Sequence, residues 1–317
     1  MRVRAGKADY LCFMDTGVLL IVFNRPEETR QVLEVLRKAK PARLYVACDG
    51  PRENHPTDAA RVAAVKALIR ECVDWNPQLH TRYAEQNQGC ALGVSSAISW
   101  FFEQEAQGII LEDDIIASES FFPFCAELLE RYADTPEVMG ITGYNRDDSS
   151  SRSSDSYFFS HYPGIWGWAT WRDRWEKFRP DNSYLSDFLG RNGLEEVSRD
   201  PRVQQYLLRC FDAMQSNDSW GYAWRLAVFQ HKGRIAVPAT NLISNIGFGS
   251  AEATHTTGSD QYIELQERGE IGFPLHHPGS LRIDTGADDQ MIRKQLGGLH
   301  DRSFMQRIKN KLASFLS

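Results

Sequence analysis

Gly108-Ile109-Ile110-Leu111-Glu112-Asp113-Asp114 is the stretch that sets the fold. The run GIIL is apolar without polar alternation, the pattern of a short strand buried on both faces. It runs straight into three carboxylates, which are costly beside an apolar strand unless something compensates them. Moving outward toward the N-terminus, residues 18–23 (VLLIVF) repeat the pattern and stop at Asn24-Arg25-Pro26. Pro26 suits a first helical turn, and Glu27 and Glu28 favour a helix N-terminus, so a helix is expected to about Lys38. Residues 44–48 (LYVAC) form another strand, closed by the turn signal Asp49-Gly50-Pro51. Residues 58–72 carry Val62, Val65, Leu68 and Ile69 at helical spacing. A short strand over 79–83 precedes the turn Asn87-Gln88-Gly89, and a helix over 91–105 leads into GIIL. Beyond the carboxylates, residues 119–132 read as helix and 138–142 as strand.

Strand and helix thus alternate through the first 145 residues. This predicts an α/β fold with a mostly parallel central sheet flanked by helices. Such sheets bind ligands beyond the carboxyl ends of their strands. Asn24-Arg25, Asp49 and Glu112-Asp113-Asp114 all fall at those ends and are expected on one rim. Alternation along a strand places Glu112 and Asp114 on one face with Asp113 on the other. Oxygen-only donors suit Mg²⁺ or Mn²⁺, while an ordinary acidic turn is the plain alternative. Asp49 can accept the N–H of a uracil ring or simply complete an Asp-Gly-Pro turn. Arg25 can fork onto phosphate oxygens or stand as a surface arginine at a helix start. Asn87, in the turn after the strand 79–83, joins the candidate donor-binding residues.

The second half reads differently. Residues 147–156 are rich in Asp, Ser and Arg and are expected to form a loop. Tyr162 to Trp171 (YPGIWGWATW) holds Trp166, Trp168 and Trp171, and Trp220 and Trp224 follow. Most of these five are expected in the core, with Trp166 the candidate for stacking on a sugar ring. Asp218-Ser219 stands just before Trp220, in position to cap a helix that starts there. Residues 243–249 (ISNIGFG) lead to Thr254-His255-Thr256, a segment suited to a lid, in which His255 is a candidate metal or phosphate contact. Phe304, Ile308, Leu312 and Phe315 share one face of a basic amphipathic segment, expected either to pack on the domain or to touch an anionic membrane surface.

The 317 residues carry 36 Lys and Arg against 42 Asp and Glu, a net charge of -6, which excludes a chain-wide nucleic-acid binder. Six cysteines, at 12, 48, 72, 90, 125 and 210, form no CxxC pair. They read as buried free thiols of a reducing compartment and not as a zinc site. No apolar run approaches the roughly 20 residues that span a bilayer, and the opening MRVRAGKADYLCFMDTG lacks the continuous apolar core of a signal peptide. A cytoplasmic location is expected, with peripheral membrane contact through the C-terminal helix as a variant.

Four stretches together resemble a known family: 19–52 (LLIVFNRPEETRQVLEVLRKAKPARLYVACDGPR), 87–114 (NQGCALGVSSAISWFFEQEAQGIILEDD), 162–178 (YPGIWGWATWRDRWEKF) and 241–256 (NLISNIGFGSAEATHT). They are similar to bacterial nucleotide-diphospho-sugar transferases, some of which are labelled hemolytic proteins. More distantly they resemble the Golgi N-acetylglucosaminyltransferases, inverting enzymes of GT-A fold. That resemblance implies Asp114 as the direct metal ligand, Glu112 and Asp113 facing donor sugar and ribose, Arg25 on the donor phosphates, and Asp49 on uracil. It implies a general base in an Asp-Asp-Trp motif; this chain has Asn217-Asp218-Ser219-Trp220, lacking one acid, which makes Asp218 the candidate base with the helix cap as its alternative. The expected organisation is a tail over 1–17, a GT-A domain over 18–300 (nucleotide-binding half 18–145, acceptor half 146–300) and a C-terminal helix over 301–317. The expected activity is Mn²⁺- or Mg²⁺-dependent glycosyl transfer from a nucleotide-diphosphate sugar, UDP-sugar favoured, to a glycan or lipid-linked glycan. A sugar nucleotidyltransferase shares the fold but normally opens with a Gly-rich phosphate loop, which Asn24-Arg25-Pro26 replaces here. A non-catalytic nucleotide-sugar or glycan binder is the other alternative.

Overall fold

A computed structural model describes residues 15–145, 154–181, 183–214, 219–247 and 267–297. Asp218, His255, the segment 301–317, most of 1–17 and most of the expected loop 147–156 lie outside these residues. The first strand, β1 (Gly17–Val22), has no polar alternation because both its faces are covered. Val18, Leu20 and Val22 pack with Val32, Leu33 and Leu36 of helix α1 (Pro26–Ala39). Leu19 faces Val94, Ala97, Ile98 and Phe101 of helix α3 (Gly89–Gln104). Helix α2 (Asp58–Cys72) joins α1 on the first face, adding Val62, Val65 and Ile69.

Strands β2 (Arg43–Cys48), β3 (Gln78–Tyr83) and β4 (Gln107–Glu112) complete a parallel set in the order β3-β2-β1-β4. After β4 come the short strand β5 (Ile115–Ala117), helix α4 (Phe121–Arg131) and strand β6 (Val138–Thr142). The remaining sheet is mixed. Strand β8 (Trp168–Trp171) inserts antiparallel between β4 and β6. Strand β9 (Arg234–Pro238) runs parallel to β6, and β7 (Tyr157–Ser160) closes the sheet antiparallel to β9. The chain therefore forms the expected α/β class: one eight-stranded sheet, parallel over its first half, with helices on both faces.

The tryptophan-rich stretch is chiefly architecture. Trp168 and Trp171 lie on β8 and are buried, as are Trp220 and Trp224 of helix α9 (Trp220–Gln230). Trp168 stacks on Trp220 with centroids 5.7 Å apart and meets Trp175 and Trp224 in tilted contacts. Four short or medium helices complete this half in chain order: α5 (Arg172–Trp175), α6 (Leu185–Gly190), α7 (Gly193–Val197) and α8 (Pro201–Ala213). Helix α10 (Thr285–Gly297) returns to the sheet edge, where Asp288 accepts hydrogen bonds from Ser160 and the His161 backbone. Gly167, at φ +59°, makes the turn into β8, where a Cβ would lie 2.9 Å from Ile243; this glycine serves a tight turn and not a ligand. No helix among the described residues is long and apolar enough to cross a membrane.

Candidate functional site

The parallel register sets β1, β2 and β4 to end level with one another. Val22 pairs with Cys48, and Ile21 with Glu112. The polar stops after those strands consequently share one rim. Behind the rim lies a cavity of about 270 Å³, walled by the ends of β1–β4 and the first turns of α3. Arg25, Asp49, Arg52, Arg82, Asn87, Glu112 and Asp113 line it, together with the apolar Ile21, Ala47, Val94 and Ala97.

At the β4 end Arg25 bridges two carboxylates. Its Nη1 lies 2.6 Å from Asp114 Oδ2 and 3.4 Å from Asp113 Oδ1. Asp113 also accepts the Phe23 backbone N–H at 3.1 Å. The expected strand alternation fails here for a physical reason. β4 stops at Glu112 and the next two residues turn, so adjacent Asp113 and Asp114 reach one guanidinium, while Glu112 and Asp113 face the cavity. Burial raises the carboxyls of Glu112 and Asp113 well above the ordinary range, neighbouring carboxylates add to this, and Arg25 opposes it. Asp114 is raised as well, again by burial first and against Arg25. Three enclosed acids facing one guanidinium leave the cluster short of positive charge.

The segment 243–247 reaches this cluster from the other half. Strand β10 (Ile243–Asn245) pairs antiparallel with β5, and Ile246 N–H donates to the Asp114 carbonyl at 2.8 Å. Gly247 packs so close that a Cβ would lie 2.1 Å from Asp114 Oδ2 and 3.0 Å from Arg25 Nη1. Only a residue without a side chain fits there, which the sequence signals as SNIG.

Asp49 sits at the end of β2 and lines the cavity, with protein donors already on both oxygens. Gly50 N–H donates at 2.8 Å, Gln88 N–H at 3.0 and 3.1 Å, and Asn87 Nδ2 at 3.0 Å. Asp49 and Asn87 thereby lock the β3–α3 turn onto the β2 end. Asn24 is 1% exposed and turns away from the cavity, donating to Asp58 at 2.8 Å. Trp166 is half-buried, edge-on to Tyr144 at 4.9 Å, and lies outside the cavity wall.

Sequence reasoning missed three residues. Asp58 is fully buried at the start of α2 and accepts from Asn24 Nδ2, Arg52 N, Arg52 Nε and Arg52 Nη2. It thus ties the loops after β1 and β2 together. Arg52, a cavity residue, also lies over the Phe23 ring at 5.4 Å. Arg82, on β3, donates from Nη1 to the Ser96 carbonyl at 2.6 Å. An acid in the first turn of an Ala-rich helix was a readable helix-start signal for Asp58; the arginines carried none. Cys48, also in the wall, is a neutral thiol, since burial pushes it up to about 12.

No family model and no curated protein matches this chain. Among solved structures it is similar to a glucose-1-phosphate thymidylyltransferase from Bacillus anthracis in complex with a sucrose, at TM-score 0.32 and 8% identity, over 51% of this chain and 74% of that one. A likeness at that level says nothing of chemistry.

Proposed function

We propose that the chain is a glycosyltransferase using a nucleotide-diphosphate sugar, with UDP-sugar the favoured donor and a glycan or lipid-linked glycan the acceptor. One observation carries this reading: a nucleoside-sized cavity at the carboxyl ends of four parallel strands ends on a buried acid–arginine cluster. The apolar floor suits a base and ribose, and the cluster suits the diphosphate and the sugar bond beside it. The resemblance of the stretches 19–52 and 87–114 to nucleotide-diphospho-sugar transferases supports the same reading.

The donor set fits a hard divalent cation. All its atoms are oxygens, and the cluster lacks positive charge. No group of three or more His, Cys, Asp or Glu that could hold a metal ion occurs among the described residues. Mg²⁺ and Mn²⁺, however, commonly take one or two carboxylates and fill the remaining positions with substrate phosphates and water. Asp114 would hold the ion, with His255 the second candidate. When bound, such an ion neutralises charge on the departing diphosphate. The chain's own groups do the rest. Arg25 offers N–H groups toward the phosphates while restraining Asp114. Glu112 and Asp113 accept hydrogen bonds from hydroxyls of sugar and ribose. Asp49, with Asn87, holds the wall against the base. Asp218 is the proposed base that takes the acceptor hydroxyl proton in an inverting transfer.

A panel of UDP-, dTDP-, GDP- and ADP-sugars with Mn²⁺, scored for released nucleoside diphosphate, tests the reading. Release from one donor class is expected, by transfer or by slow hydrolysis. Binding without release would instead make the chain a nucleotide-sugar binder. Pyrophosphate release from a nucleoside triphosphate and a sugar 1-phosphate would make it a nucleotidyltransferase.

A further inference from the structure

The cavity floor is a single row of residues across the sheet. Ile21 pairs with Glu112 on one side and with Ala47 on the other, and Ala47 pairs with Arg82. Partners in register on adjacent strands point to the same face, and all four residues line the cavity beneath α3. The row therefore runs acid, apolar, apolar, guanidinium. Three interstrand steps of about 4.8 Å place its two ends roughly 14 Å apart. The floor is polarised, with Glu112 at the diphosphate end and Arg82 at the end remote from it.

We propose that Arg82 is a specificity-determining residue that reads the exocyclic group of the nucleobase. This rests on the nucleotide-donor reading of the cavity. With the diphosphate at Arg25 and the acid cluster, the base lies on Ile21 and Ala47, and the edge farthest from the ribose points to β3. At that edge uracil, thymine and guanine carry a carbonyl oxygen, whereas cytosine and adenine carry an amino group. Arg82 has only donors to offer. It is aimed by the Ser96 carbonyl and hydroxyl, which hold Nη1 at 2.6 and 3.3 Å. It therefore accepts the oxo bases and leaves an amino group facing N–H donors. The one cavity carboxylate near that end, Asp49, has its oxygens engaged by Gly50, Gln88 and Asn87.

The test is calorimetry of UDP, GDP, CDP and ADP, each with Mn²⁺, on the wild type, R82Q and R82K. The wild type is expected to bind UDP or GDP at least about tenfold more tightly than CDP and ADP, the scale of one good arginine–carbonyl pairing. In R82Q and R82K that preference collapses to within a few-fold, with CDP and ADP little changed. R82K keeps the charge and loses the planar fork, so it supports the argument should R82Q fold poorly. A uniform loss across all four nucleotides would make Arg82 a phosphate contact, and an unchanged preference would make it mere wall. Either result overturns the inference while leaving nucleotide binding intact. No binding of any nucleotide by the wild type would overturn both.

Discussion

Asp58→Asn is the perturbation whose magnitude follows most directly from the structure. The carboxylate is 0% exposed and accepts four hydrogen bonds, three from Arg52 and one from Asn24. An amide has nearly the same shape, but its NH2 must face either the guanidinium or the Asn24 amide. Breaking a buried pair costs about 3–5 kcal/mol. Arg52 keeps 27% of its side chain in solvent, so part of its charge is hydrated and a loss of about 2–4 kcal/mol is expected. The pH dependence has a definite sign. Arg52, followed by the Asn24 hydrogen bond, holds the Asp58 carboxyl far below the ordinary carboxylate range, against the opposing effect of burial. A depressed folded-state value means the stabilisation is complete above the unfolded pKa and is lost as pH falls toward the folded one. The gap between wild type and variant should therefore narrow below about pH 3.9, by about 1.4 kcal/mol per pH unit. Urea unfolding of both proteins from pH 7 to pH 2.5 measures it. A difference below about 1 kcal/mol at pH 7, or a gap unchanged between pH 5 and pH 3, would refute the reasoning.

Two further substitutions probe the site. Ala47→Leu directs a larger side chain from β2 into the cavity, and should weaken nucleotide binding at least about tenfold by calorimetry while costing less than the 1–3 kcal/mol typical of overpacking. Gly247→Ala places a methyl group where Asp114 and Arg25 now meet. It should abolish Mn²⁺-dependent donor binding and also lower the unfolding midpoint, because the Arg25–Asp114 pair that it displaces is largely buried.

The sequence showed most clearly what physics makes local. Strands β1, β2 and β4 are buried on both faces, so unbroken apolar runs announced them, and the turn residues that stop them marked the rim. β8 was hidden because WATW, though expected in the core, carries no period that marks it as a strand buried among Trp220, Trp175 and Trp224. The acid cluster was visible as residue types, but its geometry was not, since the turn beginning at Asp113 cancels strand alternation. Asn24 was read as a ligand contact because nothing local points to Asp58, 34 residues on, as its partner. Arg82 needed the register of four strands before its place opposite Glu112 had any meaning.

The central claim is that the rim cavity and its acid cluster hold a nucleotide-diphosphate donor, with Asp114 engaging a divalent cation. The direct measurement is calorimetric titration of UDP-sugar into wild type with Mn²⁺, wild type with chelator, and Asp114→Ala with Mn²⁺. Binding strengthened by Mn²⁺ and lost in Asp114→Ala is the predicted result. Equal affinity in all three conditions would contradict the metal assignment, and no binding in any of them, extended to the other nucleotide sugars, would contradict the site itself.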